Sequence, residues 1–551
     1  LVTSAPVKTR FPYAWLLLVM IAAIIGRALL LVSGSVSFHS DEATIALMAR
    51  HILEGARPIF FYGQSYMGSL DAWLVAIGFQ LLGESVLTIR LVQSGLYLLV
   101  VATGFAVAWR LSGNRLLATV TGLLLAVPPV NLALYTTATL GGYNELLLLG
   151  QIALLLGFGI AQSQAYWRWL ALGIVVGIGW WTHGLIVVYA LPLAAYILVS
   201  AWRERLGWHK LLFGIGLGLL GFFLGGSLWW VWNAAHDNAA LASYLPSSAS
   251  TFTADEAISQ ANAPAQRLIG LMLLGLPALL GFRFPWATDY FLVPVGLVVL
   301  LLVIVALYRW LRGTHPLRPG GRLLLLGMML CFGMIYLGTR FQADPTGRYL
   351  VPLGLPVMVL LASLVVGIFQ VAESRRLQRI WQGVAVVLLS GILLFQAAGQ
   401  WSAAQQEPGI TTNFDSLSHL PNEYDAELIA FLEMNDLRYG YASYWQTMRL
   451  AFLSQERLQF SAALPYKSVS LYNPADNRYP AYAEATNNAD RVVFITAALL
   501  PDVAAMLEEY FAAQGLTYQV ERLALYRIYY DFAPQRPIFQ DWRDVRGLIG
   551  Q

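Results

Sequence analysis

The sequence predicts a polytopic α-helical membrane protein of about eleven transmembrane helices, with interfacial helices in its outer loops and a small C-terminal extracytoplasmic α/β domain. Three observations carry that reading. Of 551 residues 58% are hydrophobic and 12% charged, where a soluble chain carries about a quarter charged residues. Long apolar runs recur from Tyr13 to Ala397, most of them near the ~20 residues that cross a ~30 Å hydrocarbon core. From Gln400 onward the composition becomes that of a soluble domain. A membrane β-barrel would alternate over segments of roughly ten residues instead. The net charge of +3 leaves no footprint for a nucleic-acid partner. The lone Cys331 excludes a disulfide framework and a cysteine-based metal site.

Lys8 and Arg10 precede the first apolar run, 13–32. It is longer than the core of a signal peptide and no small-residue cleavage site follows, so it reads as a retained span. The first outer loop, 33–86, opens Phe38-His39-Ser40-Asp41-Glu42 and continues as a short helix to Glu54. It then reads Arg57-Pro58-Ile59-Phe60-Phe61-Tyr62-Gly63-Gln64-Ser65-Tyr66-Met67-Gly68-Ser69-Leu70-Asp71. Adjacent carboxylates at a helix mouth, followed by a Gly-, Tyr- and Gln-rich loop, stand out in so apolar a chain and mark the active-site loop. A base there would take the proton of an attacking hydroxyl. Acids in the first turn of a helix capped by Ser40 or Asp41 account for the same pattern.

Further spans follow at 87–109, 116–134, 145–161, 167–181, 185–201, 211–232, 290–310, 323–337, 349–369 and 380–397. Two apolar stretches, 70–82 and 268–282, are too short to cross and read as interfacial or re-entrant helices. With a cytoplasmic N-terminus, eleven crossings bring nearly every basic cluster to the inside: Arg110 and Arg115, Arg168, Arg203 to Lys210, Arg309 to Arg322, and Arg375 to Arg379. The loops 38–82, 135–144, 233–289 and 338–348 then share the outer face with the C-terminal part. The polar stretch 243–252 within the long loop 233–289 suits a lid. In the C-terminal part, 423–435 and 501–514 read as helices, 491–496 as a buried strand, and 518–529 as one or two strands. The units expected are a membrane domain, 1–399, and an outer domain, 400–551.

Arg348, at the outer end of a span and ahead of Pro352 and Pro356, can grip a phosphate through two nitrogens or snorkel to the interface; Arg340 is a second candidate. His183, in Trp180-Trp181-Thr182-His183-Gly184, can bind a cation or a phosphate, or sit in the aromatic belt, and His39 beside Asp41 is equally open. Tyr62, Gln64 and Tyr66 can contact sugar hydroxyls or anchor the loop at the interface. Arg27 is charged within a span and needs a partner unless it snorkels outward. A Walker loop, a dinucleotide fingerprint and a His-Glu-x-x-His motif are all missing from the sequence, which argues against a nucleotide-driven pump.

The run Asp41-Glu42, Arg50, Gly55, Pro58, Tyr62-Gly63-Gln64 and Tyr66 resembles the first outer loop of GT-C glycosyltransferases. The bacterial branch related to protein O-mannosyltransferases and the lipid A aminoarabinose transferase is the nearest likeness. Gly83-Glu84-Ser85 with Arg90, and Tyr441-Ala442-Ser443-Tyr444-Trp445, are similar to that branch as well. The resemblance implies an inverting transferase that uses a polyprenyl-phosphate sugar, such as an undecaprenyl one, in the plasma membrane. The acceptor would be a glycan, lipid or protein. It also implies a catalytic acid at Asp41, a role Glu42 would share, and a second at Glu145 within Gly141-Gly142-Tyr143-Asn144-Glu145, where the family's usual residue is aspartate. Tyr143 and Asn144 would line the substrate site beside it, and Arg348-Tyr349 would lie on the donor phosphate. Whether a divalent cation takes part is left open. A transporter or flippase, an oligosaccharide transferase and a glycan-binding scaffold are the rival readings.

Overall fold

The structure, a computed structural model, describes residues 11–549 except 164, 245–263, 315, 339–343, 372–373, 408, 415–418, 467–471 and 498. Arg340 and most of the polar stretch 243–252 lie outside the described residues.

Among those described, nine helices are long and apolar enough to cross a membrane on their own. They include Tyr13–Val32, Val86–Ser112, Tyr143–Ser163, Trp208–Gly225, Val293–Leu311 and Arg375–Gln405. The two further expected spans are shorter helices, Tyr166–Thr182 with 17 residues and Arg115–Ala126 with 12. The second was expected as one run to residue 134. Instead it stops at Val127-Pro128-Pro129 and resumes as Val130–Tyr135, because proline lacks the N–H that would continue the ladder and crowds the preceding turn. The run 211–232 is likewise interrupted at Gly226, before Ser227–Ala235. Leu70–Leu82 forms the expected short helix. The stretch near 268–282 is a composite: Pro264–Gly270, a π-turn at Leu271–Gly275, then Leu276–Leu280.

Packing among the spans follows small residues. Gly173 and Gly177 on one helix face Gly218, Gly221 and Gly225 on another, and a Cβ at Gly173, Gly177, Gly221 or Gly225 would strike the opposing backbone. Helices in lipid associate through such close approach, since lipid tails offer no hydrophobic driving force between them. Arg27 finds its partner inside the bundle and does not snorkel. Its nitrogens donate to the Thr137 hydroxyl and, at 2.5 Å, to the Thr136 hydroxyl, and its guanidinium lies 3.8 Å from the Tyr97 ring centroid.

Beyond Gln405 the chain builds a five-stranded sheet in the order β4-β3-β5-β7-β6, with β3 Tyr439–Ser443, β4 Gln459–Leu464, β5 Val493–Ala497, β6 Thr517–Leu523 and β7 Tyr526–Ala533. The β3–β4 and β3–β5 pairs are parallel; β5–β7 and β6–β7 are antiparallel. Helices Asp425–Met434 and Pro501–Ala513 match the expected ones, while β3, β4 and the helix Tyr444–Leu453 between them were not anticipated.

The segments expected on the outer face come together at one end of the bundle. Val36 bridges Ile410, Met67 bridges His183, and Asn131 Nδ2 donates to Thr346 O at 3.2 Å. Asn422 closes a reciprocal pair with the Phe38 backbone, 2.8 Å each way. The interfacial helix Ser40–Leu53 buries Ala43, Leu47 and Met48 in one apolar cluster with Tyr444, Met448 and Phe452 of the C-terminal domain.

Candidate active site

The helix Ser40–Leu53 is capped by His39, not by Ser40 or Asp41: His39 Nδ1 accepts the Glu42 N–H at 3.4 Å. Asp41 and Glu42 therefore sit in the first turn, where successive side chains diverge by roughly 100°. That divergence separates their environments.

Glu42 is wholly buried and turned to the long second span, where Arg90 grips both oxygens, Nε to Oε1 at 2.6 Å and Nη2 to Oε2 at 2.7 Å. Burial pushes its carboxyl up and the guanidinium pulls it back. Asp41 faces the C-terminal domain instead. Its Oδ1 accepts from the Tyr444 hydroxyl at 2.6 Å and lies 3.0 Å from Arg478 Nη1. Burial alone would raise the Asp41 carboxyl; Arg478, His39, the Tyr444 hydroxyl and Arg348 outweigh it and hold it below its ordinary value.

Arg478 sits between aromatic faces, 4.4 Å from the Tyr444 centroid and 5.2 Å from that of Phe61. Gln64 meets it as well: with its amide nitrogen toward the Tyr66 hydroxyl at 3.1 Å, its oxygen accepts from both Arg478 Nη atoms at 3.2 Å. The strand pair β1 Phe60–Phe61 and β2 Gln64–Gly68 holds Phe61, Gln64 and Tyr66 here. The turn between the strands needs Gly63, whose φ is +73° and whose absent Cβ would lie 3.0 Å from Arg478 Cα.

Arg348 adds a second arginine whose charge reaches Asp41, from the start of the helical segment Arg348–Leu353. Its Nε pairs with Asp344 Oδ2 at 2.7 Å, and its Nη2 donates to the buried Tyr349 hydroxyl at 3.2 Å. It keeps 30% of its side-chain surface accessible against 13% for Arg478, so of the two it has more surface free for an incoming anion. Its charge also acts on Asp41 and Tyr66. His183 caps the turn Gly184–Ile186 through Nδ1, and its ring lies 5.2 Å from that of Tyr143, which is 5.7 Å from that of Tyr135. His183 Nε2 is buried with no partner among the described residues.

Three expected site residues are placed elsewhere. Tyr62 bonds His51 Nδ1 at 2.9 Å and stacks on Tyr479 at the domain junction. Glu145 and Asn144 belong to a buried polar network. Asn144 donates to Gln93 Oε1 at 2.6 Å, and Gln93 donates to Asp71 Oδ1 at 2.7 Å. Thr139 also donates to Asp71, which burial pushes upward and the adjoining Gly141 and Gly142 amides pull back. Glu145 lies beside Asp71 without a cationic partner among the described residues. His51, Glu54 and Glu456 place ligand atoms within 4.8 Å of one another. However, Arg50 and the Tyr482 hydroxyl already engage Glu456, so the group is an ion-pair network at the domain junction.

Sequence reasoning missed Arg478, Asp344 and Asp71, and gave Tyr444 no role. Asp71 stood inside the flagged loop. Arg478 had no local signal, since it lies in an ordinary-looking turn between Pro474–Asp476 and Pro480–Asn488.

The sequence profile of the dolichyl-phosphate-mannose-protein mannosyltransferase family matches residues 69–232. No curated protein matches the chain by sequence. The fold is similar to ArnT from Cupriavidus metallidurans bound to undecaprenyl phosphate, at TM-score 0.56 and 14% identity over 95% of this chain and 99% of that one. ArnT in the apo state gives 0.54 and 13% over 94% and 98%. The Archaeoglobus fulgidus oligosaccharyltransferase in complex with Zn and sulfate gives 0.51 and 12%, over 90% of this chain and 69% of that one. The GT-C resemblance in the sequence thus extends to the fold, membrane bundle and C-terminal sheet domain together.

Proposed function

We propose, from that shared GT-C fold, that the chain is a membrane glycosyltransferase moving a sugar from a polyprenyl-phosphate donor to an acceptor hydroxyl at the outer face. One observation carries the reading: a half-buried carboxylate, Asp41, sits at the mouth of the first outer loop, 3.0 Å from Arg478 and within the field of Arg348. The ArnT structure with undecaprenyl phosphate supports a donor of that class.

The chemistry assigned is a single displacement. The acceptor oxygen attacks the anomeric carbon in line, its proton passes to Asp41, and the bond from that carbon to the phosphate oxygen breaks with both electrons leaving on the polyprenyl phosphate. Arg348 stabilises the charge on the leaving phosphate. Tyr66, Gln64 and Tyr349 line the sugar, and Tyr143 with His183 forms the far wall. Glu42 holds the helix mouth against Arg90 and is a positioning residue. The N-terminus is cytoplasmic and the C-terminal domain extracytoplasmic, so donor and acceptor meet outside.

The test is transfer from a labelled polyprenyl-phosphate sugar by the purified chain in nanodiscs. Asp41→Asn should lower kcat at least about 100-fold, the low end for loss of a general base; near-normal turnover would remove Asp41 from the mechanism. Product mass separates single-sugar transfer from transfer of a whole oligosaccharide.

A further inference from the structure

The C-terminal domain does more than cover the membrane site. Among the described residues Arg478 pairs with Asp41 at 3.0 Å, and it belongs to a turn of the soluble domain more than 400 residues along the chain. Tyr444 and Phe61 lie against its guanidinium, Gln64 meets its edge and Gly63 its stem, and 13% of the side chain stays accessible. Asp476 adds a second acid, pushed up to about 6 by burial and pulled back by Arg478. Arg348, whose charge also reaches Asp41, is likewise paired, with Asp344. Both arginines are therefore occupied by carboxylates.

An arginine paired this closely makes Asp41 a poor proton acceptor, because the pair stabilises the ionised form. The donor's phosphodiester carries the same single charge as a carboxylate and offers a guanidinium the same two-pronged geometry, so it can compete with Asp41 for Arg478. We propose that Arg478 is a phosphate-binding residue shared between Asp41 and the donor. Without a donor it neutralises Asp41. When a phosphate-bearing lipid headgroup enters, Arg478 turns to the phosphate and frees the carboxylate to act as base. The proposal rests on the transferase reading above, and it makes the reactive site a joint product of the two domains.

The experiment measures undecaprenyl phosphate, without sugar, binding to the full-length chain in nanodiscs. The variants are Arg348→Gln, Arg478→Gln, Arg478→Lys, Asp41→Asn and the double variant Asp41→Asn/Arg478→Gln. Arg478→Gln should weaken binding about tenfold or more, the scale of one charge-assisted hydrogen bond, and Arg478→Lys should recover part of it. Asp41→Asn should tighten binding, and most of that gain should vanish in the Arg478→Gln background, since only a shared partner couples the two sites. Arg478→Lys and Asp41→Asn keep the test decisive should Arg478→Gln fold poorly. If Arg348→Gln weakens binding while Arg478→Gln does not, or if Asp41→Asn gains as much with Arg478 absent, the sharing is overturned and the transferase reading stands. If neither arginine matters, or the wild-type chain does not bind undecaprenyl phosphate, both fall.

Discussion

Asp41 and Glu42 differ in what surrounds them more than in what they are. Glu42 has no exposure and a two-pronged arginine, so removing its charge strands Arg90 in the interior. Glu42→Gln should lower unfolding stability by about 3–5 kcal/mol, read from thermal unfolding in detergent, whereas Asp41→Asn should cost less, because Arg478 keeps Asp476 and Gln64 as partners. Equal melting of the two would deny them separate roles. Titration gives a second handle. The groups acting on Asp41 are Arg478, His39, the Tyr444 hydroxyl and Arg348, and together they hold its carboxyl down. Deleting Arg478 lets burial dominate and raises it, so the acid limb of kcat/KM should move to higher pH in Arg478→Gln. A limb that stays put would mean another group controls the rate.

Elements carry two further expectations. The helices Tyr166–Thr182 and Trp208–Gly225 approach through facing glycines with no room for a side chain. Gly177→Leu should therefore drive them apart and lower the yield of folded protein, seen as early elution or aggregation in size exclusion; a normal profile would refute the close approach. The helix Ser40–Leu53 docks on the C-terminal domain partly through Glu456, which takes Arg50, His51 and the Tyr482 hydroxyl. Burial pushes the Glu456 carboxyl up, but those partners bring it down to about 2. A folded value below the ordinary 4.5 means docking is favoured above that value and lost as pH falls toward about 2. Hydrogen exchange over residues 40–53 should accelerate in that window; uniform protection through it would show that Glu456 does not hold the interface.

At the scale of the whole molecule, the outer loops and the C-terminal domain meet at one end of the bundle, and the proposed orientation puts that end outside the cell. Single cysteines at exposed Glu54, Glu509 and Arg312, in a chain whose buried Cys331 is replaced by alanine, test it. An impermeant maleimide added to intact cells should label the first two and spare the third, and the reverse pattern would invert the topology.

Most of the long apolar helices, the break between the first two of them, the short helix 70–82 and most of the C-terminal elements were legible in the sequence, because lipid enforces length and apolarity residue by residue along the chain. The break at Val127-Pro128-Pro129 was legible in principle, since proline acts locally. Strands β3 and β4 were not, because they are short and take their stability from non-local parallel neighbours. The reactive cluster was half legible. Asp41 and Arg348 sit at span boundaries that local physics marks, whereas Arg478 and Tyr444 reach Asp41 only once the C-terminal domain has docked. Pairing across some 400 residues is a property of tertiary contact: no local hydropathy, cap or turn records which distant guanidinium will meet a given carboxylate.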